Sequence, residues 1–221
     1  MKKSAVVLTL FLATCFSIQA QVVKLDYKYY TAWFSQLKHI PVVVTYTLTH
    51  EMLSCTDKIK RSNKFKPDPK HKNITDLAID YKNSGYDRGH NMSAADNECS
   101  MEGMTECFYF SNMTPQPHSF NAGVWEDLEN DERGQAIKHN KLIITCGSIG
   151  ERFVIGKDKV CVPEKMWKVI YIHALKKYEC YLFPNSDGLE RKPEKFVVPL
   201  SEIKKLAKVD FTDGIVKPEF K

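Results

Sequence analysis

Three segments in the second half of the chain crowd β-branched and aromatic residues into short runs: Lys141–Ile149 (KLIITCGSI), Met166–His173 (MWKVIYIH) and Lys177–Phe183 (KYECYLF). Such side chains pack well on a pleated surface, so each run is expected to be a strand. Ile40–Thr49 (IPVVVTYTLT) adds another. Phe108-Tyr109-Phe110 reads as a short buried strand, ended by Thr114-Pro115-Gln116-Pro117 because proline removes a ladder donor. Helical signals fall between these runs without regular alternation. A short helix is expected within Ala94–Cys107 and another near Leu200–Ala207. A longer one is expected from Asn121 to about His139, where Val124, Leu128 and Ala136 recur at helical spacing. This order predicts an α+β fold with a central, mainly antiparallel sheet flanked by helices, rather than a parallel βαβ fold.

The N-terminus reads as an export signal. Lys2 and Lys3 precede an apolar run from Ala5 to Phe16, and Ser17-Ile18-Gln19-Ala20 offers a cleavage region. The run is too short to span a bilayer core of about 30 Å, so no stable membrane anchor is expected. Lipid attachment at Cys15 is the lesser alternative, since Thr14 suits it poorly. Residues 1–20 are therefore assigned to a signal peptide and 21–221 to a single domain, located in the periplasm or outside the cell. Removing the signal takes away two lysines and lowers the net charge from +5, leaving a mildly basic chain compatible with a polyanionic partner. Cys55, Cys99, Cys107, Cys146, Cys161 and Cys180 remain. An even set in an exported protein predicts up to three disulfides, and the absence of any Cys-x-x-Cys argues against a metal cluster.

The chemistry concentrates in Asp87-Arg88-Gly89-His90, followed by Asn121, Glu129 and Arg133. Phosphodiester hydrolysis needs a group to deprotonate water, one to hold a hard cation and one to clamp phosphate charge, and this stretch supplies all three. Gly85 and Gly89 would let the backbone bend around the histidine. On an ideal helix Asn121, Glu129 and Arg133 share one side, within an arc of about 120°. Taken singly they are unremarkable: asparagine is a good helix N-cap, and Glu129 with Arg133 is an ordinary i, i+4 pair. Lys58–Lys72, basic and broken by Pro67 and Pro69, reads as a solvated loop able to meet phosphates.

The ordered set Asp87-Arg88-Gly89-His90, Ser111-Asn112-Met113-Thr114-Pro115-Gln116 and Asn121-x-Gly123-x-Trp125-x3-Glu129-x3-Arg133 resembles the sugar-nonspecific DNA/RNA endonucleases. That family groups secreted bacterial nucleases with endonuclease G relatives of the ββα-metal superfamily. The match is dense from Gly85 to Arg133, with Arg61 in Arg61-Ser62-Asn63-Lys64-Phe65 as a candidate upstream basic site. Asn91-Met92-Ser93 departs from the apolar residue and proline often found after the histidine. The resemblance implies that His90 is the general base and Asn121 the sole direct protein ligand of Mg²⁺, with Mn²⁺ a possible substitute. It further implies that Glu129 orients waters around the ion, Arg88 grips the scissile phosphate, Arg133 and Arg61 stabilise growing charge, and Asn112 steadies the site. The expected function is hydrolysis of DNA and RNA with little sequence preference, giving 5′-phosphate and 3′-hydroxyl ends. A catalytically silent nucleic-acid-binding module and a small-molecule phosphodiesterase are the competing readings, separable by plasmid cleavage with and without metal and by a chromogenic diester.

Overall fold

Residues 22–71 and 77–220 are described by a computed structural model. The expected signal peptide, with Cys15, lies outside the described residues, as does Lys72 of the basic loop. In chain order the strands are β1 Val22–Asp26, β2 Thr31–Ser35, β3 Ile40–Thr49, β4 Tyr86–His90, β5 Met113–Pro117, β6 Lys141–Ile149, β7 Phe153–Ile155, β8 Val160–Val162, β9 Lys165–Ile172, β10 Lys177–Pro184, β11 Val209–Thr212 and β12 Ile215–Pro218. The α-helices are α1 His50–Leu53, α2 Ala78–Tyr81, α3 Met101–Glu106, α4 His118–Phe120, α5 Glu126–His139 and α6 Leu200–Ala207. Among the described residues no helix is long and apolar enough to cross a membrane.

The centre is a six-stranded antiparallel sheet ordered β1-β2-β3-β6-β9-β10, as the α+β expectation requires. Strand alternation sends side chains to opposite faces. Val44, Tyr46, Leu48, Ile144 and Ile170 join the larger core, which also holds Leu128 and Ala136 of α5 and Phe108, Phe110 and Trp125. Val43, Trp167, Val169 and Cys180 face the other way and pack with Ile203 of α6 and Val209 and Phe211 of β11. The β4–β5 hairpin is a separate two-stranded ladder, with Arg88 opposite Pro115 and His90 opposite Met113.

Three local expectations are corrected. Phe108-Tyr109-Phe110 is not a strand: it leaves α3, pairs with the basic loop as the isolated Lys66–Tyr109 bridge, and enters a 3-10 turn at Phe110–Asn112. The proline-bearing stretch that should have ended it is β5 itself. A two-stranded ladder leaves β5 an open edge, and there Pro115 and Pro117 cost no bond to a further strand. The long helix is also interrupted. α4 passes through a π-type segment, Asn121–Trp125, bent at Gly123 (φ −119°, ψ −119°), before α5 begins, so the ideal-helix arc joining Asn121 to Glu129 does not hold.

The expectation of up to three disulfides is met by one. Cys55–Cys99 is the one disulfide among the described residues, and Cys107, Cys146, Cys161 and Cys180 are free and buried. The free thiols are small apolar core side chains, with Cys107 and Cys146 pushed up in pKa by burial and so held as thiols.

Candidate active site

The β4–β5 hairpin and the bent segment after it set the site. Gly85 takes φ +83° at the entry to β4, so the expected bend is there. Gly89 serves a different purpose: a Cβ on it would lie 2.2 Å from Oε1 and 2.7 Å from Cγ of Gln116, the β5 residue opposite Asp87, so glycine leaves room for that side chain to cross the ladder. Asn112 is fully buried and staples the strand ends. Its Oδ1 accepts from the Met92 N–H (2.9 Å), while Nδ2 donates to the carbonyls of Met92 (2.9 Å) and Cys107 (2.8 Å). It steadies backbone, and both amide hydrogens are committed to it.

His90 is 7% exposed, and its Nε2 has no hydrogen-bond partner among the described residues. Two aromatic rings connect it to two arginines. The Phe65 ring lies 5.7 Å from the imidazole and 4.3 Å from the Arg88 guanidinium. The Phe108 ring lies 4.8 Å from the imidazole, edge-on, and 5.3 Å from the Arg61 guanidinium. Burial, reinforced by the positive charges of Arg61 and Arg88, pulls the His90 pKa down to about 3. The ring is therefore neutral at physiological pH. Behind it, Trp125 Nε1 donates to the His90 carbonyl at 3.3 Å.

Arg61, Arg88 and Asn121 line one cavity of about 190 Å³ together with Phe65, Tyr81, Tyr86 and Asp87. Asn121 Nδ2 donates to Asp87 Oδ2 at 3.0 Å. Because a carboxylate only accepts, this contact fixes the amide with its carbonyl oxygen turned away from Asp87. Asp87 thus positions the Asn121 amide, a part that sequence reading left unassigned; its place in the Asp-Arg-Gly-His stretch is the available signal. Among the described residues no set of three or more His, Cys, Asp or Glu side chains converges as a metal cage. A single neutral oxygen beside two arginines does not suit a thiolate- or imidazole-seeking ion. It does suit a hard cation that keeps most of its water and shares phosphate oxygens.

Glu129 and Arg133 lie outside that cavity. Arg133 donates to Asp96 Oδ1 (2.9 Å) and Asn130 Oδ1 (2.6 Å), and lines a different cavity with Lys58 and Glu98. Glu129 is buried beside the fully buried Glu132–Lys168 pair, in which Nζ approaches Oε1 to 3.1 Å. Burial raises the pKa values of Asp96, Glu129 and Glu132, while Lys168 pulls all three back and Arg133 pulls back Asp96 and Glu129. Burial alone would discharge Lys168, but Glu132 and Glu129 outweigh it and keep the ammonium charged. Lys168 also sits 4.1 Å over the Trp125 ring, the same ring that holds the His90 carbonyl. Sequence reading missed this lysine, which looks like any polar residue in a strand.

The DNA/RNA non-specific endonuclease family model matches residues 10–217. Human mitochondrial endonuclease G is 31% identical over 62% of this chain and 52% of its own length. The zebrafish (Danio rerio) mitochondrial nuclease EXOG is 30% identical over 80% of this chain and 60% of its own. The chain thus spans about half to three fifths of these relatives. A solved structure of EndoG bound to EndoGI superposes with a TM-score of 0.80 at 28% identity, covering 89% of this chain and 88% of that one. These names overturn the expectation of export to periplasm or medium, because the relatives are mitochondrial nucleases. A basic, acid-free N-terminus does not by itself separate secretory from organellar leaders, since mitochondrial transit peptides are also poor in acids. With the hairpin, the neutral imidazole and a family match over most of its length, the chain belongs to the DNA/RNA non-specific endonucleases.

Proposed function

We propose that the protein is a metal-dependent endonuclease that hydrolyses DNA and RNA phosphodiesters with little sequence preference, using Mg²⁺. The observation that carries this reading is the neutral His90, its Nε2 without a partner among the described residues, set between Arg61 and Arg88. An imidazole kept neutral by burial, with two cations reinforcing it, can accept a proton from water, and the same cations complement the negative diester that brings the reaction in. Arg88 would grip the non-bridging oxygens through its planar fork, with Arg61 adding charge from the other side. His90 would take the proton as water oxygen bonds to phosphorus. The bond to the 3′ oxygen then breaks, and that oxygen leaves as a hydroxyl after gaining a proton from solvent, with the phosphate on the 5′ end.

Asn121 Oδ1 is the residue atom that would hold the ion. Charge relief at the departing 3′ oxygen is the chemistry that a bound divalent ion supplies. Supercoiled plasmid incubated with Mg²⁺, and in parallel with excess chelator, tests the reading. Nicking and linearisation with Mg²⁺ alone are expected. Persistence in chelator would refute the metal role, and no cleavage in either arm would refute the nuclease.

A further inference from the structure

Beside the catalytic hairpin, the β7–β8 hairpin displays two apolar side chains: Phe153 is 43% exposed and Val154 42%. The Phe153 ring centre lies 5.7 Å from that of Tyr86, edge-on at 68°, and Tyr86 lines the Arg61–Arg88–Asn121 cavity. The display is fixed by the scaffold. Asp80, buried under the turn, accepts from the Asp158 N–H at 2.9 Å. Gly156 (φ +67°) packs so closely that a Cβ there would lie 2.1 Å from Asp80 Oδ1. At the open end the Arg152 N–H donates to the Val162 carbonyl at 2.9 Å. Arg152 and Lys157 are exposed on the same hairpin.

Two apolar side chains held in water forgo the burial free energy that such groups normally contribute, and here they adjoin a phosphate-sized, arginine-lined cavity. We infer that Phe153, backed edge-on by Tyr86, is a stacking platform for an unpaired nucleobase next to the phosphate held at Arg88. This rests on the nuclease reading and adds a substrate class to it: single-stranded or locally unpaired nucleic acid. Every base has a π-face, so the platform is tolerant of sequence, and the flanking cations track the backbone. In a duplex those faces are covered by neighbouring bases and become available only at the cost of unstacking.

Phe153→Ala and Phe153→Trp are compared with wild type on one short oligonucleotide, single-stranded and fully paired. Stacking on one aromatic ring corresponds to about a five- to hundredfold effect. Phe153→Ala is expected to lower the ratio of single-strand to duplex kcat/KM by at least about fivefold, with Phe153→Trp restoring it. A ratio unchanged in Phe153→Ala, or a tryptophan variant as poor as alanine, would overturn the platform. Binding of 2-aminopurine-labelled single strand in chelator gives an independent readout, since stacking quenches the probe. Quenching that is lost in Phe153→Ala supports the platform even if the wild type cleaves nothing, a result that would sink only the nuclease reading. Equal quenching in both proteins overturns it.

Discussion

Asn121 and Asp87, 34 positions apart in the chain, meet through a 3.0 Å hydrogen bond from Nδ2 to Oδ2. The same carboxylate oxygen stands 2.8 Å from His118 Nδ1, so one acid organises both side chains at the mouth of the cavity. If Asn121 Oδ1 holds the ion, Asp87 sets the angle at which it is offered. Asp87→Ala is expected to raise the Mg²⁺ concentration for half-maximal activity about 10- to 100-fold, as loss of an outer partner does at metal sites. Asp87→Asn keeps an acceptor oxygen and should recover part of the loss. Metal titrations of the cleavage rate decide it, and an unchanged metal requirement in Asp87→Ala would remove Asp87 from the site.

His90→Ala should reduce turnover about 10²- to 10⁴-fold, the usual worth of a positioned general base. The bond from Trp125 goes to the His90 carbonyl, a backbone atom, so the variant keeps that tie and should fold. Single-turnover cleavage alongside a thermal melt separates the effects. A folded His90→Ala protein within tenfold of the wild-type rate would show that another group takes the proton.

The pH dependence follows from the same imidazole. Its free-state pKa is held near 3 by burial and by Arg61 and Arg88, so the base form is present well below the ordinary histidine range. The acid limb of kcat/KM is therefore expected below pH 6.5, the ordinary histidine pKa, and Arg61→Gln should move it upward by removing one repelling charge. Stability has the matching sign. The unfolded chain takes up this proton first as pH falls, so His90's contribution is intact above its ordinary pKa of 6.5 and is lost as pH falls towards 3. Rate profiles on wild type and Arg61→Gln test the order of the two limbs.

Much of this architecture is legible in local sequence, and the reason is periodicity. Ile40–Thr49, Lys141–Ile149 and Leu200–Ala207 occupy their expected bounds because β-branched runs and an apolar helical stripe state their own geometry. The ordered spacing of the motif also anticipates that Arg88 and Asn121 share one cavity and that His90 stands near Arg88. What failed depends on distant partners. Nothing local shows that Pro115 and Pro117 lie on an open edge, that Gly123 bends the helix, or that Arg133 turns to Asp96. The polar look of α5 misleads most, because its buried face carries Glu129 and Glu132, made tolerable by a lysine 36 residues beyond Glu132 on β9.

The Cys55–Cys99 bridge closes a segment of 44 positions that contains Arg61, Arg88 and His90. Constraining a loop of that length in the unfolded chain is worth up to about 4 kcal/mol. Cys55→Ser/Cys99→Ser is expected to lower the midpoint of urea unfolding accordingly. Identical midpoints for wild type with and without reductant would show that the bridge does not form in solution.

Lys168 offers the sharpest test of how the core supports the site. Its ammonium is fully buried, paired with Glu132 at 3.1 Å and set 4.1 Å over Trp125. Lys168→Met leaves Glu132 and Glu129 short of a cation in low dielectric, a loss of about 3–5 kcal/mol for a broken buried pair. Lys168→Met/Glu132→Leu removes both charges and should recover most of that stability, since apolar replacement of a buried pair is often neutral. If the pair only filled space, the double variant would also recover full activity. If it positions Trp125 and, through it, the His90 backbone, kcat stays depressed while KM and the melting temperature return. Full recovery of kcat would reduce Lys168 to a packing element.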